Sequence, residues 1–108
     1  MPNLTFYISA DHSDRFTEQP NFTRHCSKLC SDILGAEPEK VHIIYVDVRP
    51  GCRHPVYAEL FYRLTKWRTP EVMENFMSEL DLAIRQTMGL MVRIRCFGFT
   101  APQIHARN

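Results

Sequence analysis

Two places along the chain carry residue types able to do chemistry. One is Pro2, in the opening stretch MPNLTFYIS, and the other is the pair Arg93 and Arg95, in MVRIRCFGF. A proline behind the initiating methionine is small enough for that methionine to be removed, which leaves the ring nitrogen as a secondary amine. An unperturbed α-amino group titrates at about 7.7–8.0. Apolar surroundings or neighbouring cations disfavour its charged form and lower that value. The result is a free base at neutral pH, the group that proton abstraction next to a carbonyl requires. The plainer alternative is a proline tolerated at the start of a strand. Arg93 and Arg95 stand two apart, so on a strand both point to one face together with Met91 and Phe97. Adjacent guanidinium groups repel unless solvent or a shared anion lies between them, and a carboxylate accepts them bidentately.

The elements that must hold these groups follow from periodicity. Leu4, Phe6 and Ile8 alternate with Thr5, Tyr7 and Ser9, so residues 4–9 read as a strand. A polar stretch leads to Pro20, a residue suited to a first helical turn. Phe22, Cys26, Leu29, Cys30, Ile33 and Leu34 then recur at helical spacing, and Gly35 is a natural stop. VHIIYVDV at 41–48 is a β-branched strand, and RPGCRHP at 49–55 reads as a turn. The pattern then starts again with YAELFYRLTKW at 57–67 as a strand, followed by Thr69 as N-cap, Pro70 at N1 and Glu71 in the first turn. Met73, Phe76, Met77, Leu80, Ile84 and Met88 form the apolar stripe of the second helix, Gly89 ends it, and a last strand spans 91–99.

The expected fold is α+β: tandem β-α-β repeats forming a four-stranded mixed sheet with two helices on one face. All 108 residues fall in one domain, with repeat one at about 2–48, repeat two at about 57–99 and a polar tail at 100–108. Each helix crosses between parallel strands in the right-handed sense. The other sheet face is left uncovered, and strands 57–67 and 91–99 carry apolar or mixed side chains on both faces. Burial against copies of the same chain is the simple remedy. A ferredoxin-like sandwich, often a binding module, has the same order of elements.

Composition narrows the function classes. The chain is 44% hydrophobic and 23% charged with a formal net charge of +1, which offers no electrostatic case for nucleic acid. No apolar run is long enough to span a membrane and no secretory leader is visible, so a cytoplasmic location is expected. The cysteines, Cys26, Cys30, Cys52 and Cys96, lack the spacing of a metal site and are expected to be reduced, with Cys26 and Cys30 as core filler. No metal or cofactor is expected.

The tandem layout, the length and Pro2 leading straight into the first strand resemble the tautomerase superfamily. The similarity is greatest to its trimeric branch, which contains 5-carboxymethyl-2-hydroxymuconate isomerase and the macrophage migration inhibitory factor-like proteins. The proline-led first helix, Pro20-Asn21-Phe22, and Val46-Asp47 at the end of strand two are similar to the isomerase. The resemblance implies a homotrimer acting on a small-molecule carboxylate. It implies one catalytic amine per chain, Pro2, since Ala58 occupies the matching place in the second repeat. It implies a carboxylate-binding arginine in Arg68-Thr69-Pro70-Glu71, where the first repeat has His12-Ser13-Asp14. The family's strand arginine corresponds to His42 in the first repeat and to Arg93 and Arg95 in the second, at positions contributed to a neighbouring subunit's site. The lysine that follows the first helix in part of the family is Ala36 here, with Lys40 as a loose substitute.

The implied activity is keto–enol or double-bond isomerisation of an unsaturated 2-oxo acid, with Pro2 as general base and Arg68, Arg93, Arg95, His42 and Lys40 as substrate-binding candidates. Dehalogenation by water addition, or decarboxylation, on the same fold is the alternative. Water addition generally calls for an acidic residue to activate the water, and none stands at an obvious site position in the sequence.

Overall fold

The computed structural model describes residues 2–108. Its main elements are strand β1 (Pro2–Ser9), helix α1 (Gln19–Leu34), strand β2 (His42–Val48), strand β3 (Val56–Arg63), helix α2 (Pro70–Met88) and strand β4 (Val92–Phe99). Short 3-10 turns at Ala10–Arg15, Pro38–Lys40 and Ala101–Gln103 link or follow them. The sheet runs in the order β2-β1-β3-β4. β1 pairs parallel with β2, β3 pairs parallel with β4, and the two repeats join antiparallel through β1 and β3. A ferredoxin-like sandwich splits its β-α-β unit with a strand from elsewhere. Here the strands of each unit are directly bonded, so that alternative does not describe the chain.

Period two assigns the sheet faces. Leu4, Phe6 and Ile8 of β1 and Val56, Ala58 and Leu60 of β3 are buried against Phe22, Cys26 and Leu34 of α1 and Phe76, Leu80 and Ile84 of α2. Phe76 is completely buried, and truncating such a ring to alanine costs about 3–5 kcal/mol. The opposite face carries Ile44, Phe61 and Phe97, all exposed, along with His42, Arg93 and Arg95. The expected helix on one face and open sheet on the other are both present.

The helix boundaries follow local chemistry. Thr69 Oγ1 accepts the Val72 amide at 3.2 Å, and Pro70 fills the first turn of α2. Both helices end on a left-handed glycine, Gly35 (φ 70°) and Gly89 (φ 66°), where any side chain would strain the backbone. The second repeat's first strand is shorter than its composition suggests. It ends at Arg63 rather than residue 67, because after Leu64 N–H bonds Phe99 O (2.8 Å) the chain turns, with Arg68 N–H on Thr65 O (3.3 Å). The turn carries Trp67 and Arg68 to the end of α1, where both reach the Leu34 carbonyl.

Candidate active site

Pro2 opens β1, a central strand of the sheet. A central strand tolerates proline at its first residue, where no ladder hydrogen bond is lost inside the sheet. Its ring is on the helix-covered face and less than 2% exposed, opposite Tyr62 in the β1–β3 register. Around this end of the sheet lie two cavities of about 300 and 520 Å³, and Lys40 and Arg63 line both. The smaller is also lined by Thr65, Trp67 and Arg68, and Thr65 Oγ1 is buried with no hydrogen-bond partner among the described residues. The larger takes in Asn3, Glu39 and His42. His42 sits beside Asn3 in the β1–β2 register and is exposed on the open face.

Arg68 is at this end but is turned inward, 9% exposed. Its Nε donates to Leu34 O at 2.9 Å and one Nη to Arg63 O at 2.8 Å. The first is one of the carbonyls a helix C-terminus leaves unpaired, where a cation also meets the favourable end of the helix dipole. Burial lowers the Arg68 pKa, against the opposing influence of Tyr62 and Cys30. A guanidinium remains charged through such a change. Lys40 is exposed and pairs with Glu37 at 3.2 Å. Arg63 holds its backbone to Arg68 while, among the described residues, its guanidinium makes no ion pair or hydrogen bond.

Arg93 and Arg95 are exposed on the open face, as their spacing predicts, but toward the other end of the sheet. Arg93 pairs with Tyr57, which pairs with Tyr7, so it is displaced by five residues, about 17 Å, along the strand direction from Pro2. Arg95, level with Glu59 and Thr5, is displaced by three residues, about 10 Å, and both arginines are exposed on the face opposite the buried Pro2 ring, so one chain does not bring them together. A cleft of about 640 Å³ contains both, along with Tyr7, Tyr57, Arg49 and Arg53. Tyr7 and Tyr57 stack at 5.7 Å, and the Tyr57 hydroxyl donates to Glu59 at 3.0 Å. The Tyr57 pKa is raised by burial first and by Glu59 second, with Arg95 opposing.

Sequence reasoning passed over several of these residues. Arg63 lies at a strand end with no partner pattern to mark it, and Arg49 and Arg53 lie in a turn without periodicity. Glu39 is carried by a 3-10 turn to the larger of the two cavities, which Asn3 and His42 also line. The register also corrects one correspondence. With His42 matched to Arg93, Asn3 corresponds to Tyr57, and Val56 rather than Ala58 takes the place of Pro2 in the second repeat. It is fully buried. Among the described residues no three His, Cys, Asp or Glu side chains gather as a metal site would need, and no helix is long and apolar enough to cross a membrane.

No protein-family model matches the chain, and no curated protein matches it by sequence. Solved structures match it over nearly its whole length. A fused 4-OT symmetric trimer aligns with a TM-score of 0.76 at 14% identity, covering 97% of this chain and 93% of that one. Malonate semialdehyde decarboxylase aligns with a TM-score of 0.70 at 13% identity, covering 97% and 90%. A macrophage migration inhibitory factor-like protein from Entamoeba histolytica aligns with a TM-score of 0.71 at 12% identity, covering 98% and 95%. All three are members of the tautomerase superfamily. With its order β2-β1-β3-β4 and two helices on one face, the chain has the tautomerase fold.

Proposed function

We propose that the protein is a cofactor-independent tautomerase in which Pro2, freed of Met1, is the general base. The observation that carries this reading is the setting of Pro2: a ring fixed by burial at the first position of a central strand, with Lys40, Arg63 and Arg68 around the same end of the sheet. Burial and those cations both favour the neutral amine. The nitrogen takes a proton α to the carbonyl of an unsaturated 2-oxo acid, or from its enol, and returns it to another carbon of the conjugated system. Charge builds on the enolate oxygen, where fixed cations are most effective.

Arg93 and Arg95 enter from a neighbouring copy in a homotrimer. Their distance from Pro2 within one chain supports this, as does the open face bearing Ile44, Phe61 and Phe97, which a second copy would cover. The symmetric trimer formed by a fused 4-OT of the same fold is consistent with it. In this arrangement Arg93 and Arg95 take the substrate carboxylate, and Lys40 and His42 stand at the rim. Arg68 has one Nη free for substrate, while its other donors fix the turn that carries Arg63.

Glu39 supports a second reading, hydration or dehalogenation, with a protonated Pro2 as acid and the carboxylate activating water. Titrating the ¹⁵N-labelled terminal nitrogen by NMR separates the two. A value well below about 7.7–8.0 supports the base, and an ordinary or raised value supports the acid. Mass spectrometry showing Met1 retained ends both.

A further inference from the structure

We propose that the cleft at the far end of the open face binds a small organic polyanion, held by Arg49 and Arg53 of the β2–β3 loop together with Arg93 and Arg95 of β4. Four guanidinium groups line one cleft, and no carboxylate lines it. The chain as a whole carries a formal charge of only +1, so this is a strong local excess. The ion pairs among the described residues involve Lys28, Lys40 and Arg85, and none of these four arginines. Glu59, opposite Arg95 in the β3–β4 register, instead accepts the Tyr57 hydroxyl. Like charges gathered without a counter-charge raise the energy of the empty site, and an anion relieves it.

The loop is fastened at its C-terminal end. Pro50 and Pro55 flank it, and the Ser9 amide donates to Pro55 O at 2.8 Å. Arg53 has a left-handed backbone, φ 76°, a conformation costly for a residue with a side chain. His54, also on the cleft, has a buried Nδ1 with no hydrogen-bond partner among the described residues. The volume, about 640 Å³, lies within the range of small-molecule sites. One carboxylate occupies two guanidinium groups bidentately. Four of them match a ligand with at least two anionic groups, phosphoryl or carboxyl.

The cleft shares Arg93 and Arg95 with the proposed catalytic site but does not depend on Pro2. Isothermal titration of the full chain at low salt with pyrophosphate, and with acetate as the single-charge probe, tests it. Saturable pyrophosphate binding at least tenfold tighter than acetate is expected. Arg49→Gln combined with Arg53→Gln should weaken it at least tenfold, whereas Arg24→Gln with Lys28→Gln on α1 should leave it within twofold. Absence of saturable binding, equal affinity for acetate, or equal weakening in the α1 control overturns the proposal. Pro2→Ala separates it from the catalytic reading, because binding should persist there whether or not turnover is lost.

Discussion

The two ends of the sheet are built alike and furnished differently. Each has the start of a strand pairing antiparallel with its counterpart and parallel with the strand that follows its helix: Pro2 with β2 on one side, Val56 with β4 on the other. At one end the first residue is a buried proline, and Lys40, His42 and Arg63 line a cavity at the same end of the sheet. At the other it is the buried aliphatic Val56, and four arginines line a cleft on the opposite sheet face. Duplicating the architecture thus does not duplicate the chemistry. One end offers the Pro2 ring and the other guanidinium groups, and a single chain holds them apart. On the proposed reading, the two halves of the site meet only when one copy's far end reaches another copy's Pro2.

The largest test of this contrast is Pro2→Ala. Removing a general base costs about 10²–10⁴-fold in rate, so turnover of phenylenolpyruvate or hydroxymuconate should fall by that factor with the oligomer unchanged by sedimentation. Wild-type turnover in that variant would break the contrast. Arg93→Gln and Arg95→Gln should act mainly on binding, lowering kcat/KM by about 10–100-fold through KM, in line with the loss of a charge-assisted contact of roughly 1.5–3 kcal/mol. Mixing Pro2→Ala subunits with Arg93→Gln subunits sharpens the point. Partial recovery of activity is expected if the two residues work across an interface, and none if they work within one chain.

Arg68→Met should move stability rather than the contrast itself. It removes charged hydrogen bonds to Leu34 O and Arg63 O, and a loss of about 2–3 kcal/mol by urea denaturation is expected. The smallest effect is a difference in labelling. Burial pushes the Cys96 thiol up to about 11 and the Cys30 thiol up to about 12, with Cys26 higher still. A raised thiol pKa means a protonated, unreactive group at pH 8. Iodoacetamide should therefore modify exposed Cys52, in the arginine-bearing loop, well before the other three, and pyrophosphate should slow it.

Much of the fold could be read in the sequence because it rests on repeating patterns. Alternation at Leu4, Phe6 and Ile8 and helical spacing from Phe22 to Leu34 each report burial on one face, and Gly35 and Gly89 mark stops that few other residues can adopt. The end of β3 could not be read, because YAELFYRLTKW keeps strand-like composition past the point where tertiary bonds turn the chain. Arg68 shows the same limit for function. Its place beside a helix cap is visible in sequence, but its inward direction is set by the α1 terminus across the fold. Arg49, Arg53 and Arg63 gave no signal, since a charge in a turn or at a strand end gains meaning only from what converges on it.

The strand order also bears on how the chain folds. The two strands joined without an intervening helix, β2 and β3, are not bonded to each other, and the ladders pair Asn3 with His42, Val56 with Val92, and Pro2 with Tyr62. The sheet therefore contains no hairpin that could form early and locally. Every ladder must wait for a long loop to close, and that entropy is spent before any strand contact returns it. The helices are the elements able to organise first. Substitutions that weaken α2, such as Phe76→Ala, should therefore slow folding itself, whereas those in the strand ends should chiefly hasten unfolding.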